Sequence, residues 1–199
     1  MNLSEPIVRF SHIMAFMLTS DLTPGILAVF LQRGYDGATL AHLARQTGLS
    51  KASLYHHFPG GKSEMAATLV RSAIADLHAR AYVPLMASDP PQNFQDFIAG
   101  FAAYVQQGQS DCILSIFARH DTAGEDLDEL RKQIAAQFND WHALLTQAFE
   151  ARGAKPKRAD RQAHELVALL YGALMQAKMH NKPELFTRAM KRLQKEYAA

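Results

Sequence analysis

The amino-acid sequence predicts an all-α protein. Past residue 62, apolar residues recur at helical spacing, and no segment shows the alternation that is typical of a half-buried strand. Short breaks that contain Gly, Pro, Asp or Asn separate the helical segments. A chain of 199 residues, of which 48% are hydrophobic, can form one or two domains with a full core. We therefore expect a three-helix N-terminal unit followed by a larger helical bundle, with about nine helices altogether.

Residues 39 to 58 predict two short helices joined by a tight turn. Thr39 and Ser50 precede the two helices, and a hydroxyl at that position accepts a hydrogen bond from a backbone N–H two or three residues later. Gly48 lies where the turn needs a residue that tolerates positive φ. Two helices joined in this way form a helix-turn-helix, whose second helix enters the major groove of DNA.

The second of these helices has a short polar face. Leu49 and Leu54 are predicted to face inward. The outward residues are Ser50, Lys51, Ala52, Ser53, Tyr55 and His56. This small face fits a groove about 12 Å wide, and its first residues are expected to reach base edges. The alternative is a two-helix corner with no role in DNA binding.

The residues on both sides extend the pattern over about residues 24 to 75. Gly34-Tyr35 precedes the motif, and Phe58 and Lys62 follow it in an aromatic exit that leads to a long helix. This stretch resembles the DNA-binding domain of TetR-type one-component regulators. The resemblance implies a core position for Phe58 and DNA contacts from Thr39, Ser50, Lys51, Ala52, Ser53, Tyr55, His56 and Lys62.

Three features depart from the pattern of that family. Gly60-Gly61 is one residue longer than the usual link to the lysine, and Thr23-Pro24-Gly25 replaces the basic start of the first helix. Thr23 is the expected N-cap there and Pro24 the expected first helical residue. Residues 1 to 20 form an N-terminal extension with an apolar run that is too short to span a membrane and lacks the features of a signal peptide. An added helix and an upstream start codon both explain this extension.

Two domains are expected after this extension. Residues 21 to 62 form the DNA-binding domain, and residues 63 to 199 form a helical domain for effector binding and dimerisation. The spacing of apolar residues predicts helices over 63–86, 94–107, 112–119, 127–152 and 158–180, and a last helix from Lys182-Pro183-Glu184 to the C-terminus. Asp89-Pro90-Pro91 is expected to end the first of these.

The resemblance implies that the second domain binds a small-molecule effector in an apolar cavity. The candidate lining residues are Phe97, Phe101, Tyr104, Cys112, Ile116, Phe117, Phe138, Trp141, His142, Leu145, Tyr171 and Met175. Ordinary core packing is the alternative for each of them. Cys112 is also a candidate thiol sensor, although a lone cysteine in an apolar helix is expected to be unreactive.

Small and apolar residues on the penultimate helix predict a close contact with another helix. They are Ala168, Leu169, Gly172, Ala173 and Ala177. As the resemblance implies, this helix and the last one would form the interface of a homodimer. Two recognition helices about 34 Å apart would read a pseudo-palindromic operator. A ligand that favours a state of lower DNA affinity would then release a repressor.

Other classes of function find less support in the sequence. The motifs HExxH, GxSxG, GxGxxG and the P-loop are missing, so neither an enzyme nor a cofactor is predicted. The Cys and His residues lack zinc-finger spacing, and no metal site is predicted. Two alternatives stay open: a metal- or thiol-responsive regulator that uses Cys112 or His120, Asp121, His142 and His164, and a protein of this fold that no longer binds DNA.

Charge alone would place nucleic acid at the wrong end of this chain. Residues 1–70 hold 5 Lys/Arg against 4 Asp/Glu, residues 71–151 hold 5 against 11, and residues 152–199 hold 11 against 4. The motif favours the N-terminal end, and its weak positive charge predicts a shallow salt dependence of DNA binding. A single cysteine excludes an intrachain disulfide and fits a cytoplasmic protein with no membrane partner.

Overall fold

A computed structural model describes residues 22–118 and 125–197, and in these residues all regular structure is helical. Helix α1 spans residues 22–37. It is followed by α2 (Leu40–Thr47), α3 (Lys51–His57), α4 (Gly61–Leu77), α5 (Val83–Ala87), α6 (Gln92–Tyr104), α7 (Ile113–Ala118), α8 (Glu125–Ala151), α9 (Pro156–His180) and α10 (Pro183–Tyr197). A π-helical stretch, His78–Tyr82, joins α4 to α5. Helix α4, this stretch and α5 form one continuous helix. When they are counted as one, the described residues contain nine helices, and the prediction of an all-α fold is confirmed.

Most predicted helices are present, with different ends. The predicted helix 94–107 starts at Gln92 and stops at Tyr104, because Gln106 and Gln107 take positive φ values of 49° and 56°. Helix α9 starts at Pro156 rather than Arg158, and proline is favoured at the first helical position because it has no N–H to leave unsatisfied. Helix α1 already includes Leu22 and Thr23, so the prediction of Thr23 as its N-cap was wrong. The N-terminal extension, residues 1–20, lies outside the described residues.

The local chemistry of the helix-turn-helix is as predicted. The Thr39 hydroxyl accepts from the His42 N–H at 3.2 Å and starts α2. The Ser50 hydroxyl accepts from the Ser53 N–H at 3.0 Å and starts α3. Between them, Gly48 caps α2 with φ of 71°, which an L side chain rarely adopts. These three residues fix the angle at which α3 leaves α2.

One continuous apolar core extends from α1 to α10. Its largest fully buried side chains include Phe30, Leu43 and Leu54 in the first three helices and Trp141 and Phe186 in α8 and α10. Helix α6 supplies Phe94, Phe97, Ile98 and Phe101 to this core. Leu54 and Phe58 are buried as predicted, whereas Leu40, Ala44 and Leu49 are only partly buried. The core therefore continues across the predicted domain boundary between residues 62 and 63.

Helix α9 presents an apolar stripe to solvent in the single chain. The exposed residues of this stripe are Ala168, Leu169, Gly172, Met175, Gln176 and Met179. Met179 is 72% exposed, Leu169 49% and Met175 44%. The sequence prediction for this face was partly wrong, because Ala177 is buried inside the chain. In the ranges 22–118 and 125–197, the helices are all too short or too polar to cross a membrane.

Candidate nucleic-acid interface and effector site

The polar face predicted for α3 is exposed. Ser50, Lys51, Ala52, Tyr55 and His56 are all exposed, and Ser53 is partly so. The opposite side of the helix carries Leu54, which is fully buried. Because one side is fixed in the core, the polar side is held outward as a rigid surface of the right size for a groove.

The capping hydroxyls keep their hydrogen-bonding capacity for a partner. Thr39 and Ser50 use oxygen lone pairs to accept from the backbone. A second interaction joins the hydroxyl oxygens of Ser50 and Ser53 at 2.8 Å, so one of these two hydroxyls donates to the other. The Thr39 proton and one proton of the serine pair can then be given to acceptors such as phosphate or base-edge oxygens.

Tyr55 rests against the glycine link that departs from the family pattern. Gly61 has φ of 66°, and a Cβ at this position would lie 3.3 Å from Cε1 of Tyr55. The tyrosine is nevertheless 48% exposed, because only one side of its ring meets the link. The second glycine therefore allows α4 to begin beside the ring while Tyr55 stays about half exposed.

Lys62 is engaged within the chain. Its Nζ donates to the backbone oxygen of Tyr35 at 3.0 Å and lies 4.1 Å from the centre of the Tyr35 ring. The resemblance implied a phosphate contact for this lysine, yet its ammonium group already ties the start of α4 to the end of α1. An ammonium has three donors, so this tie still leaves capacity for a phosphate.

Phe117 lies where the bundle packs against α1 of the N-terminal unit. Its ring packs edge-on against Phe30 at 5.4 Å and against Tyr35 at 6.2 Å, between ring centres. The Phe30 and Tyr35 rings also stack on each other at 6.0 Å. Phe117 was a candidate for the effector cavity, but the structure places it against α1. We call Phe30, Tyr35, Lys62 and Phe117 the aromatic joint.

Cys112 lies in the core of the helical bundle, beside two tyrosine hydroxyls. It is fully buried, and its Sγ lies 3.4 Å from the Tyr171 hydroxyl and 3.8 Å from the Tyr104 hydroxyl. Burial raises the pKa of both tyrosines well above the ordinary 10.0. Both hydroxyls around the thiol therefore stay protonated above the pH at which an exposed tyrosine ionises.

Several other predicted lining residues adjoin this cluster. Phe101 meets the Tyr171 ring at 5.3 Å between centres, and Phe138 meets it at 6.1 Å. Phe138 in turn contacts Trp141 at 5.3 Å. Phe97, Leu145 and Trp141 are buried, and Ile116 is partly buried. The structure thus brings most of the predicted set into one aromatic core.

Two members of this core, Tyr82 and His78, were not among the predicted residues. The Tyr82 ring stacks on Trp141 at 4.8 Å, and the Trp141 Nε1–H donates to Nδ1 of His78 at 3.3 Å. Both residues lie in the π-helical stretch, where side chains leave the simple helical register. The regular spacing of an α-helix therefore does not identify these two residues as neighbours of Trp141.

Two predicted lining residues lie elsewhere. Met175 belongs to the exposed stripe of α9. His142 pairs with Asp160 at the surface between α8 and α9, with Nε2 2.9 Å from Oδ1. That hydrogen bond lowers the pKa of Asp160. These two residues therefore lie outside the aromatic core around Cys112. The alternative cluster with His120 and Asp121 lies partly outside the described residues.

Two adjoining cavities separate α1 from the segment that follows α6. The smaller one has a volume of about 260 Å³ and lies between α1, α4, Tyr104 and Ile113. The larger one, of about 670 Å³, opens beside it and continues to Lys178 of α9. Both are lined by Leu27, Gln106, Ser110 and Asp111. Tyr104 therefore links the Cys112 cluster to a cavity that borders α1.

Comparison with known proteins agrees with this arrangement. Residues 25–69 match the family model for bacterial regulatory proteins of the tetR family, and residues 90–192 match the model for the LmrA/YxaF-like C-terminal domain of transcriptional regulators. The HTH-type transcriptional regulator LmrA of Bacillus subtilis is 23% identical over 154 residues, which cover 74% of this chain and 79% of LmrA.

Solved structures show the same fold. A TetR transcriptional regulator from Legionella pneumophila superposes with a TM-score of 0.73 at 14% identity, over 88% of this chain and 95% of that one. The structure of AibR in complex with isovaleryl coenzyme A and operator DNA gives a TM-score of 0.59 at 20% identity, over 76% and 82% of the two chains. Since the C-terminal family model alone spans more than half of the sequence, this chain belongs to the TetR family of transcriptional regulators.

Proposed function

We propose that this regulator is a repressor that binds a pseudo-palindromic operator as a homodimer and leaves it when a small molecule binds. The observation that carries the proposal is the exposed polar face of α3, held in place by the Ser50 cap and by buried Leu54. Occlusion of a promoter by the bound dimer is the simplest mode of action. We assign base contacts to Ser50, Lys51, Ala52 and Ser53, and phosphate contacts to Thr39, Tyr55, His56 and Lys62.

We place the effector at the smaller cavity and the Cys112 cluster beside it. Tyr104 belongs to both, since it lines the cavity and its hydroxyl meets the thiol. The cavity is close to the usual lower size for a ligand site, and it adjoins a larger opening through which a ligand can enter. AibR, which has the same fold, was solved in complex with isovaleryl coenzyme A and operator DNA, and this supports the binding of both a small molecule and DNA here.

Helix α7 supplies the physical link between effector and DNA in this proposal. Cys112 lies just before the first residue of α7, and Phe117 lies in its last turn against Phe30 and Tyr35. Five residues of helix span only about 7.5 Å. A ligand that moves Tyr104 or Cys112 would therefore shift α7 and the aromatic joint, and with them the spacing of the two α3 helices in a dimer.

We place the dimer interface on α9. Its exposed stripe is apolar in a single chain, whereas the exposed face of α10 carries Arg188, Lys191, Arg192 and Lys195. Two such basic faces would repel each other at a symmetric contact. Of the two helices predicted for the interface, we therefore place α9 at its centre and α10 outside that centre.

Fluorescence anisotropy tests the proposal directly. Labelled fragments of the DNA upstream of the gene are titrated with the wild type, with Lys51→Ala and Tyr55→Ala, and with Lys191→Ala as a control for a lost surface charge far from α3. The expected result is saturable, competitor-resistant binding that the two α3 variants weaken and the control retains. A regulator that binds every fragment equally, or whose affinity ignores both α3 variants, would contradict the proposal.

The same complex serves to find the effector. Compounds that raise the melting temperature of the protein are added to the preformed complex, and the fall in anisotropy is followed. A releasing compound should lose its effect in Ser72→Trp, whose indole narrows the smaller cavity from α4, while DNA affinity stays that of the wild type. Release that is unchanged in this variant would place the effector elsewhere.

A further inference from the structure

We propose that His142, Asp160 and His164 form a binding site for a divalent transition-metal ion such as Zn²⁺, Co²⁺ or Ni²⁺. His142 projects from α8, whereas Asp160 and His164 project from α9. One ligand atom from each residue lies within 4.8 Å of the other two. The site therefore joins two helices through three side chains, and it lies apart from both α3 and the Cys112 cluster.

The positions of the three residues are set by rigid elements. Asp160 and His164 are four residues apart on α9, so they lie on one side of that helix, one turn apart. His142 faces them from α8, with its ring centre 3.8 Å from that of His164. Because all three positions are within long helices, the cluster does not depend on the conformation of a loop.

The separations are close to those of a coordination site. His142 Nε2 lies 2.9 Å from Asp160 Oδ1, and the ligand atoms of all three residues lie within 4.8 Å of one another. In a tetrahedral site with metal–ligand distances near 2.0–2.1 Å, ligand atoms are roughly 3.3 Å apart. Asp160 and His164 are largely exposed, so rotation of these side chains can supply the remaining adjustment without disturbing the core.

The hydrogen bonds of His164 prepare it as a ligand. Its Nδ1 lies 3.1 Å from the backbone oxygen of Asp160, and a carbonyl oxygen only accepts. Nδ1 therefore carries the proton, and Nε2 keeps the lone pair that a metal requires. Imidazoles that bind metals commonly donate their second N–H in this way, which fixes the orientation of the ring.

The chemistry of the three groups selects the class of ion. Two imidazoles and one carboxylate suit Zn²⁺, Co²⁺ and Ni²⁺, whereas Mg²⁺ and Ca²⁺ prefer sites built from oxygen atoms. The ion would take the place of the proton that now joins His142 Nε2 to Asp160 Oδ1, and the neutral imidazole would then carry its one proton on Nδ1. Water would complete the coordination, as in other sites with three protein ligands.

Titration with Co²⁺ tests the site, because its visible absorption reports the number and geometry of its ligands. The full chain is prepared without a polyhistidine tag, treated with a chelator, titrated with Co²⁺ and then displaced with Zn²⁺. The matched variants are His164→Gln and Asp160→Asn, with His180→Gln as the control, since His180 is an exposed histidine on the same helix. Circular dichroism checks that all variants keep the wild-type helix content.

The expected result is one ion per chain with bands of four or five coordination. Each cluster variant should bind at least about tenfold more weakly, whereas His180→Gln should bind as the wild type does. Failure to saturate at one ion per chain would overturn the proposal. It would also be overturned by equal affinity in the wild type and both cluster variants. Neither result depends on DNA binding, so this titration tests the metal site independently of the proposed function.

Discussion

Lys62 holds the end of α1 through the backbone oxygen and the ring of Tyr35. The hydrogen bond is 3.0 Å long, and Nζ lies 4.1 Å from the ring centre. Phe117 also approaches Tyr35, edge-on. One lysine thus connects the first residues of α4 to the unit that carries α3, at the place where the bundle also makes its aromatic contact with α1.

Lys62→Met should lower the stability of the protein as well as its affinity for DNA. The change removes a hydrogen bond to a charged donor and a cation–π contact, which together contribute about 1–3 kcal/mol to the free energy of unfolding. Urea denaturation followed by circular dichroism measures that loss. Anisotropy measures the effect on DNA, which should be similar for every operator sequence because no base contact is lost.

Lys51→Met is the matched control for this prediction. Lys51 is exposed on α3, so its loss should change the free energy of unfolding by less than about 0.5 kcal/mol while it weakens DNA binding. If Lys62→Met behaved in the same way as this control, with lower DNA affinity and unchanged stability, then Lys62 would be a phosphate contact and its tie to Tyr35 would not contribute to the fold.

Gly100→Ala should destabilise the fold severely. A Cβ at Gly100 would lie 1.9 Å from the backbone oxygen of Arg80, in the π-helical stretch that packs on α6. Two helices must move apart to admit the methyl group, and we expect a loss of more than about 3 kcal/mol in the free energy of unfolding. Thermal denaturation of the purified variant measures the change.

The contrasting substitution is Gly172→Ala, which adds the same methyl group to α9. A Cβ there meets nothing within 4 Å, and alanine favours a helix over glycine by about 1 kcal/mol. Within the single chain this variant should be as stable as the wild type or more so, and it is compared at a protein concentration at which the α9 contact between chains is dissociated. Equal stability of the two variants would mean that α6 and the π-helical stretch do not approach as closely as described.

Buried tyrosines should make the protein sensitive to alkaline pH. Burial raises the pKa of Tyr82, Tyr104 and Tyr171 above the ordinary 10.0. The folded state therefore keeps these protons at a pH where the unfolded chain releases them, so their contribution to stability is complete below pH 10 and is lost above it. Each tyrosine adds a slope of up to about 1.4 kcal/mol per pH unit.

Tyr82→Phe isolates one of these contributions. Urea unfolding between about pH 9 and 11 should give a shallower fall in the free energy of unfolding for the variant than for the wild type. The ultraviolet absorbance of tyrosinate, recorded with the folded protein, should remain below the value expected for six ionised tyrosines. Identical slopes for the two proteins would show that Tyr82 ionises as easily in the fold as outside it.

Local chemistry was predictable from the sequence, and contacts between distant residues were not. Thr39, Gly48 and Ser50 act on neighbours within five residues, and the structure shows all three in their expected roles. Lys62 and Tyr35 are 27 residues apart, and their contact depends on how α4 packs on α1. The positive charge of Lys62 at the start of α4 indicated a contact with phosphate. In the folded chain its ammonium group contacts the backbone oxygen and the ring of Tyr35.

Burial was likewise predictable, but the neighbours of a buried side chain were not. Both interpretations of Phe117, cavity lining and core packing, place it inside the protein, and the packing of α7 against α1 decided that it meets Phe30. The pairing of His142 with Asp160 depends on the register of two long helices, 18 residues apart in sequence. No spacing rule along a single helix reports that register.

Leu169→Glu should separate the dimer without unfolding its chains. Leu169 is 49% exposed in the single chain, so the change should cost less than about 0.5 kcal/mol in the stability of the chain itself. If the α9 stripe is the symmetric contact, each dimer would bury two carboxylates in an apolar interface. We expect the dissociation constant of the dimer to rise at least about tenfold, as for a residue at the centre of an interface.

Light scattering after size-exclusion chromatography measures the mass, with Lys191→Glu on the basic face of α10 as the control. That control should remain a dimer, because its charge lies outside the stripe. Leu169→Glu should also lose affinity for a full operator while keeping affinity for a half-site, since each α3 is intact and only their pairing is lost. Dissociation by the control alone would move the interface to α10, and a dimer in both variants would exclude the α9 stripe as the contact.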